Sequence, residues 1–210
     1  MIEFLGSGGI TMLFLGLASI LAFAVVIEKV FKLRKKRVIP QDKLSTVDTF
    51  LDENLWDKAE KYCREHPGVF TNIILTALEN RNEDHQELRD IVEESGREGA
   101  AELEKRLPIL STVAAVSPLL GLFGTVIGMI KVFNIISVEG TGTQSLSAGI
   151  AEALITTATG LAIAIPSLVA YNYFNNRVDE FVRQMENYSL KIVKKIKLSR
   201  RKNAIQRKKK

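Results

Sequence analysis

Three stretches of this chain carry no charged residue: Ile10 to Ile27, Ile109 to Ile130, and Ala153 to Phe174. They are 18, 22 and 22 residues long. As α-helices rising ~1.5 Å per residue they extend ~27 and ~33 Å, the thickness of a bilayer's hydrocarbon core at ~30 Å. The remaining sequence is highly charged and reads as helix. The pattern predicts an all-α membrane protein with three transmembrane helices and long cytoplasmic helical extensions. No strand pattern and no internal repeat emerges.

Orientation follows from the basic residues. Of the 29 Lys and Arg, 7 lie between Lys29 and Lys43, 8 between Lys58 and Arg106, and 13 from Arg177 onward, with only Lys131 between the second and third spans. The positive-inside rule places the N-terminus outside and the large loop and tail in the cytoplasm. The net charge of +5 is thus an orientation signal more than a ligand preference. The Lys/Arg tail is suited to anionic lipid headgroups. It lacks the interleaved aromatics on which bases stack, so no nucleic-acid partner is expected. The first span has its basic cluster after the apolar run, the reverse of a signal peptide, and reads as an anchor. Cys63 is the one cysteine and reads as an inert thiol.

These signals divide the chain into an outer segment 1–9 with a flexible lead-in at Gly6 to Gly9, a first span 10–27 and a cytoplasmic helical loop 28–107. A second span 108–136, an outer loop 137–148, a third span 149–174 and a cytoplasmic helix with basic tail 175–210 complete it. Within the loop, Thr46 to Leu55, Trp56 to Arg64 and Val69 to Asn80 read as short helices. A long one runs from Asp84 to Arg106 straight into the second span. After the third span, Val178, Phe181, Met185, Tyr188, Ile192 and Ile196 form a stripe for a partner helix. Arg200 to Lys210 is too like-charged to pack and is expected to fray.

The second and third spans carry more than lipid requires. Ser117, Gly121, Thr125 and Gly128 share one face of the second, with Gly124 and Gly128 forming a G-x-x-x-G pair. Gly149, Ala153, Thr157, Gly160, Ala164 and Ser167 share one face of the third. Small residues let membrane helices approach closely, so Gly121, Gly124, Gly128 and Gly160 read as packing residues, expected to join copies into a ring. Thr125 and Thr157 have hydroxyls suited to water, a carboxyl group or a small cation, or to a bond back to their own helix. Glu152, at the outer edge of the third span, reads as an ion-path residue or as a salt-bridge partner of Lys131. Pro118 and Pro166 each remove a backbone bond, expected to bend the helix or open a wet path.

No nucleotide-binding loop is present, since G-L-F-G-T-V-I-G lacks the lysine and the preceding strand. His66 and His85 have no metal-spaced partners, so no metal, cofactor or enzymatic activity is expected. No Asp or Glu lies in the interior of any span, whereas a proton relay normally needs one there. Either the chain conducts nothing or a partner supplies the acid.

PLLGLFGTVIGM (Pro118 to Met129) and GIAEALITTATGLAIAIPSLVAYN (Gly149 to Asn172) resemble the signatures of the MotA/TolQ/ExbB proton channel family, in its ExbB/TolQ branch. The resemblance implies a motor subunit of the bacterial inner membrane. It implies a pentamer around two copies of a single-span ExbD/TolR-like partner whose membrane Asp carries the proton, with a TonB/TolA-like protein beyond. Thr125 and Thr157 match the family's two pore threonines, and Glu152 its glutamate in G-I-A-E-A-L. Thr156 and Thr159 depart from the pattern, and their hydroxyls leave Na⁺ open beside H⁺ as the transported ion.

Overall fold

The computed structural model describes the backbone of residues 9–139 and 143–208 and the side chains of 11–35, 38–134, 147 and 149–200. The expected outer segment before Gly9, the centre of the expected outer loop, and the side chains of the basic tail from 201 lie outside these. Every regular element among the described residues is a helix: α1 Gly9–Lys32, α2 Lys35–Val38, α3 Gln41–Asp52, α4 Trp56–Glu65, α5 Val69–Glu79, α6 His85–Glu104, α7 Leu107–Glu139 and α8 Thr143–Lys208. Three of them are long and apolar enough to cross a membrane, within Thr11–Lys32, Leu107–Asn134 and Gly149–Arg200. The chain divides into two compact units. One takes α1 up to Lys29 together with Arg106–Phe174, the other Val30–Lys105 together with the chain from Asn175.

In the first unit, α1 turns Met12, Leu15, Ala22 and Val25 inward and leaves Leu13, Phe14, Leu17, Leu21 and Phe23 exposed. α7 and α8 bury their small residues against each other. The packed row of α7 runs through Ser117, Gly121, Gly124, Gly128 and Val132, and that of α8 through Ala153, Thr156, Gly160, Ala164 and Ser167. Thr125 and Thr157, placed by spacing at the centre of these faces, lie at their edges. A face written at intervals of three and four tolerates a one-residue choice, and each residue is ~100° of rotation.

The start of α7 departs from expectation. α6 does not run straight into the second span; it ends at Glu104, and Arg106 adopts φ 71°. In an unbroken helix the Pro108 ring would collide with the carbonyl of Glu104. The break puts Pro108 in the first turn of α7, where its missing N–H is not needed. Arg106 donates to Glu28 across to α1. Pro118 and Pro166, by contrast, sit inside unbroken helices. Nor does the chain fray from Arg200: α8 remains helical to Lys208, being free of Gly and Pro after Pro166 and rich in Lys and Arg, which are good helix formers.

The second unit is a helical pack in which α3, α4, α5 and α6 meet in succession. Its core draws Val47 and Leu51 from α3, Cys63 from α4, Ile73, Ile74 and Leu78 from α5, and Leu88 and Val92 from α6. α8 adds Val178, Phe181, Met185, Ile192 and Ile196, the stripe its periodicity marks. Tyr188 stacks on Phe70 with ring centroids 5.1 Å apart, its hydroxyl buried. Asn54 turns the chain between α3 and α4 at φ 59°, a conformation Asn tolerates. Asp84 caps α6, accepting from Gln86 N–H at 3.3 Å.

Charge pairs tie this unit together. Arg81 donates to Asp57 and Glu60, each at 2.9 Å. That hydrogen bond from Arg81, with a second from Arg64, holds the Glu60 carboxyl below its usual range. Lys191 and Lys195 of α8 reach Asp48 at 3.1 and 3.3 Å, and Lys195 also reaches Asp52 at 2.7 Å. Burial works to raise the Asp48 carboxyl, but the two lysines outweigh it and hold it low. Burial alone acts on Cys63, whose thiol is pushed up to about 11.

Candidate functional site

The α7–α8 contact is closest where glycines remove the side chain. A Cβ on Gly121 would stand 2.9 Å from the Thr156 carbonyl oxygen and 3.0 Å from Thr157 Cα. One on Gly160 would stand 2.5 Å from the Ser117 carbonyl oxygen, and one on Gly124 would stand 2.6 Å from Thr156 Oγ1. Gly128 approaches Ala153 in the same way, at 3.1 Å. These glycines, expected to join one copy to the next, are instead taken up inside the chain. The reason is geometric: α7 and α8 follow each other in sequence, and their two small-residue faces are each other's nearest complement.

That approach exposes one backbone carbonyl to hydroxyls. Thr157 Oγ1 donates to the Gly121 carbonyl at 3.2 Å, and Thr156 Oγ1 lies 3.5 Å from the same oxygen while donating to Ala153 O at 2.8 Å. Thr125 stands one turn beyond Gly121, on the same side of α7. Its hydroxyl donates to Leu122 O at 2.7 Å, and Thr159 likewise donates to Ile155 O at 2.8 Å. Each of the four hydroxyls has spent its proton on a carbonyl and keeps oxygen lone pairs as acceptors.

Burial separates them. Thr156 is 1% exposed, sealed in the helix contact, whereas Thr125, Thr157 and Thr159 are half-buried on the outside of it. Thr156 is thus enclosed between the two helices. The others present oxygen atoms at the edge of the seam. Glu152 pairs with Lys131 across the two helices at 3.1 Å, both within reach of solvent.

Sequence reasoning assigned no ion-path role to three features nearby. Thr11 of α1 is buried against the seam, its Oγ1 3.1 Å from where a Gly124 Cβ would stand. The Ser117 hydroxyl is fully buried with no hydrogen-bond partner among the described residues. Glu28, joined to Arg106, closes the other end of the unit. Ser117 was legible only as a member of the small-residue face, and Glu28 as an acid immediately after a charge-free run; Thr11 had no signal. Among the described residues no cluster of His, Cys, Asp or Glu is arranged to hold a metal.

Sequence comparisons show what this chain is similar to. The model of the MotA/TolQ/ExbB proton channel family matches residues 65–187. The Tol-Pal system protein TolQ of Haemophilus influenzae is 48% identical over 87 residues, 41% of this chain and 38% of that protein. The biopolymer transport protein ExbB of Aquifex aeolicus is 46% identical over 80 residues, 38% of this chain and 54% of that one. A biopolymer transport protein ExbB-like 1 of Synechocystis is 32% identical over 176 residues, 80% of this chain and 68% of that one. The match thus spans about two fifths of the length of the TolQ relative and about half of the Aquifex ExbB.

Proposed function

Because this chain belongs to the MotA/TolQ/ExbB proton channel family, in its ExbB/TolQ branch, we propose that it couples the proton motive force to force transmission across the cell envelope. The family is one of membrane channels rather than enzymes. In this reading the chain sits in the bacterial inner membrane with its N-terminus periplasmic and its C-terminus cytoplasmic. Five copies surround two copies of a single-span ExbD/TolR-like partner, with a TonB/TolA-like protein receiving the force and anionic lipids around the basic tail.

The observation that carries the proposal is the edge of the α7–α8 seam. Thr125 and Thr157 present half-buried oxygen atoms there, yet no span holds an acid in its interior. A pore lined by hydroxyls holds water or a carboxyl group, and it conducts protons once a partner supplies the membrane Asp. The driving energy suffices, since one charge crossing ~100 mV gains ~2.3 kcal/mol. Glu152, already held by Lys131, is suited to tuning ion entry at the mouth. Na⁺ is the alternative ion, and Thr159 is the extra hydroxyl that serves it. Thr156 is sealed away, which favours H⁺.

The test is ion flux into vesicles holding this protein and its partner, under separate H⁺ and Na⁺ gradients. A Thr125→Val, Thr157→Val double variant is expected to assemble and to lose flux about tenfold, the worth of a hydrogen bond of ~1.4 kcal/mol. Glu152→Gln, whose amide oxygen still accepts from Lys131, is expected to lose less than Glu152→Ala. Unchanged flux in the double variant removes the threonines from the path, and no flux in the unaltered complex makes the chain a non-conducting scaffold. Drive by Na⁺ alone reassigns the ion.

A further inference from the structure

We propose that the segment from Val30 to Arg37 is a docking surface for the headgroups of anionic phospholipids. The segment holds Lys32, Arg34, Lys35, Lys36 and Arg37, five cations in six positions, with no acid until Asp42. By itself such a run is an ordinary solvated face. Two structural observations say otherwise.

The first is depth. α1 carries a membrane-crossing candidate and continues unbroken to Lys32. Lys32 lies five residues past Ile27, the end of the charge-free run, or ~7.5 Å along the helix. That distance is the thickness of one headgroup layer, ~5–7 Å beyond the hydrocarbon. With α1 crossing the membrane, its last turn, through Lys32, would reach the level of lipid phosphates.

The second is the mixture of side chains presented. Val30 and Phe31 are 47% and 54% exposed, an apolar pair that is unfavourable in water. The Arg34 guanidinium covers the Phe31 ring at 5.3 Å. An aromatic ring with a cation on its face suits an interface that is oily on one side and charged on the other. Meanwhile Leu33, Val38 and Ile39 are buried. They anchor the backbone on one side, so that Arg34 and Lys35 are presented outward. A nucleic acid or acidic protein would meet the charge but not the exposed Val30 and Phe31. A lipid surface meets both, and each basic residue near it adds about fivefold to the affinity. The inference rests on α1 crossing the membrane and is independent of ion coupling.

The test uses the full chain in nanodiscs of mixed phosphatidylglycerol and phosphatidylcholine, with native mass spectrometry counting retained lipids. The unaltered chain is expected to keep phosphatidylglycerol in preference. Arg34→Gln and Lys35→Gln are each expected to lower that preference about fivefold; as single changes they leave four cations of the run to set orientation. Phe31→Ser is expected to weaken retention of both lipids, and Arg200→Gln, in the tail, to lower the preference less than either Arg34→Gln or Lys35→Gln. The proposal fails if the unaltered chain keeps both lipids equally, or if the preference survives Arg34→Gln and Lys35→Gln. It also fails if the tail variant alone abolishes the preference, or if inorganic phosphate at matched ionic strength displaces the lipid, which would mark a free-anion site.

Discussion

Gly121 leaves no room for a methyl group, because the atoms it would meet are the backbone of Thr156 and Thr157 rather than a movable side-chain end. Gly121→Ala and Gly160→Ala are each expected to destabilise the protein by ~1–3 kcal/mol, read as thermal unfolding in detergent. Gly16→Ala and Gly96→Ala, facing open space within helices, are expected to gain ~0.5–1 kcal/mol. Equal effects at all four positions would mean the seam is looser than described. The threonines divide in the same way. Thr156→Val keeps the shape and removes a buried hydroxyl, so it is expected to cost ~1 kcal/mol of stability without altering ion selectivity.

At the scale of elements, α3 is fastened to α8 by Asp48 with Lys191 and Lys195. The Asp48 carboxyl is held below its ordinary value of 3.8, so the native state favours its charged form. Its contribution is fully present above that value and is lost as pH falls through the lower native one. Lys195 has the opposite sign. Burial opposes its charge, but Asp52 and Asp48 outweigh this and raise it above 10.5, so its share is present below 10.5 and lost at higher pH. Asp48→Asn is expected to cost up to ~1 kcal/mol near neutral pH, since both partners are partly in water, with the difference closing below pH 3.8 in acid unfolding curves. A gap that persists in acid would point to packing rather than charge. The helices of this unit were legible because their apolar residues recur every three or four positions: the α8 stripe from Val178 to Ile196 was readable apart from Val193, which is buried beside Ile192. The site was legible by residue type and not by rotation. Thr125 against Gly124, and Thr157 against Thr156, differ by one position, and spans that are apolar all round offer no polar side to choose between them. The Glu28–Arg106 pair joins residues 78 apart, beyond any local pattern.

For the whole molecule, the glycine seam changes what an assembly experiment reads. Gly124→Leu drives a side chain into Thr156 and Thr11 of the same chain, so it is expected to unfold the single copy rather than release folded ones from a pentamer. Leu122, Phe123, Val126, Leu154 and Ile165 remain exposed, and it is this outer apolar surface that lipid or a neighbouring copy must cover. Phe123→Arg is expected to leave helix content intact while reducing the proposed pentamer in native mass spectrometry; an assembly that survives it places the contact on another face. The silence of Cys63 gives the molecule a practical property. With a thiol buried and titrating near 11, on the order of one molecule in a thousand holds a thiolate at pH 8. The natural protein is therefore already a blank background for maleimide mapping, with no cysteine to delete. Ser7→Cys is expected to react with an impermeant maleimide added to spheroplasts, and Asn82→Cys only after lysis, while the parent stays dark in both. The reverse pattern would turn the chain over in its membrane.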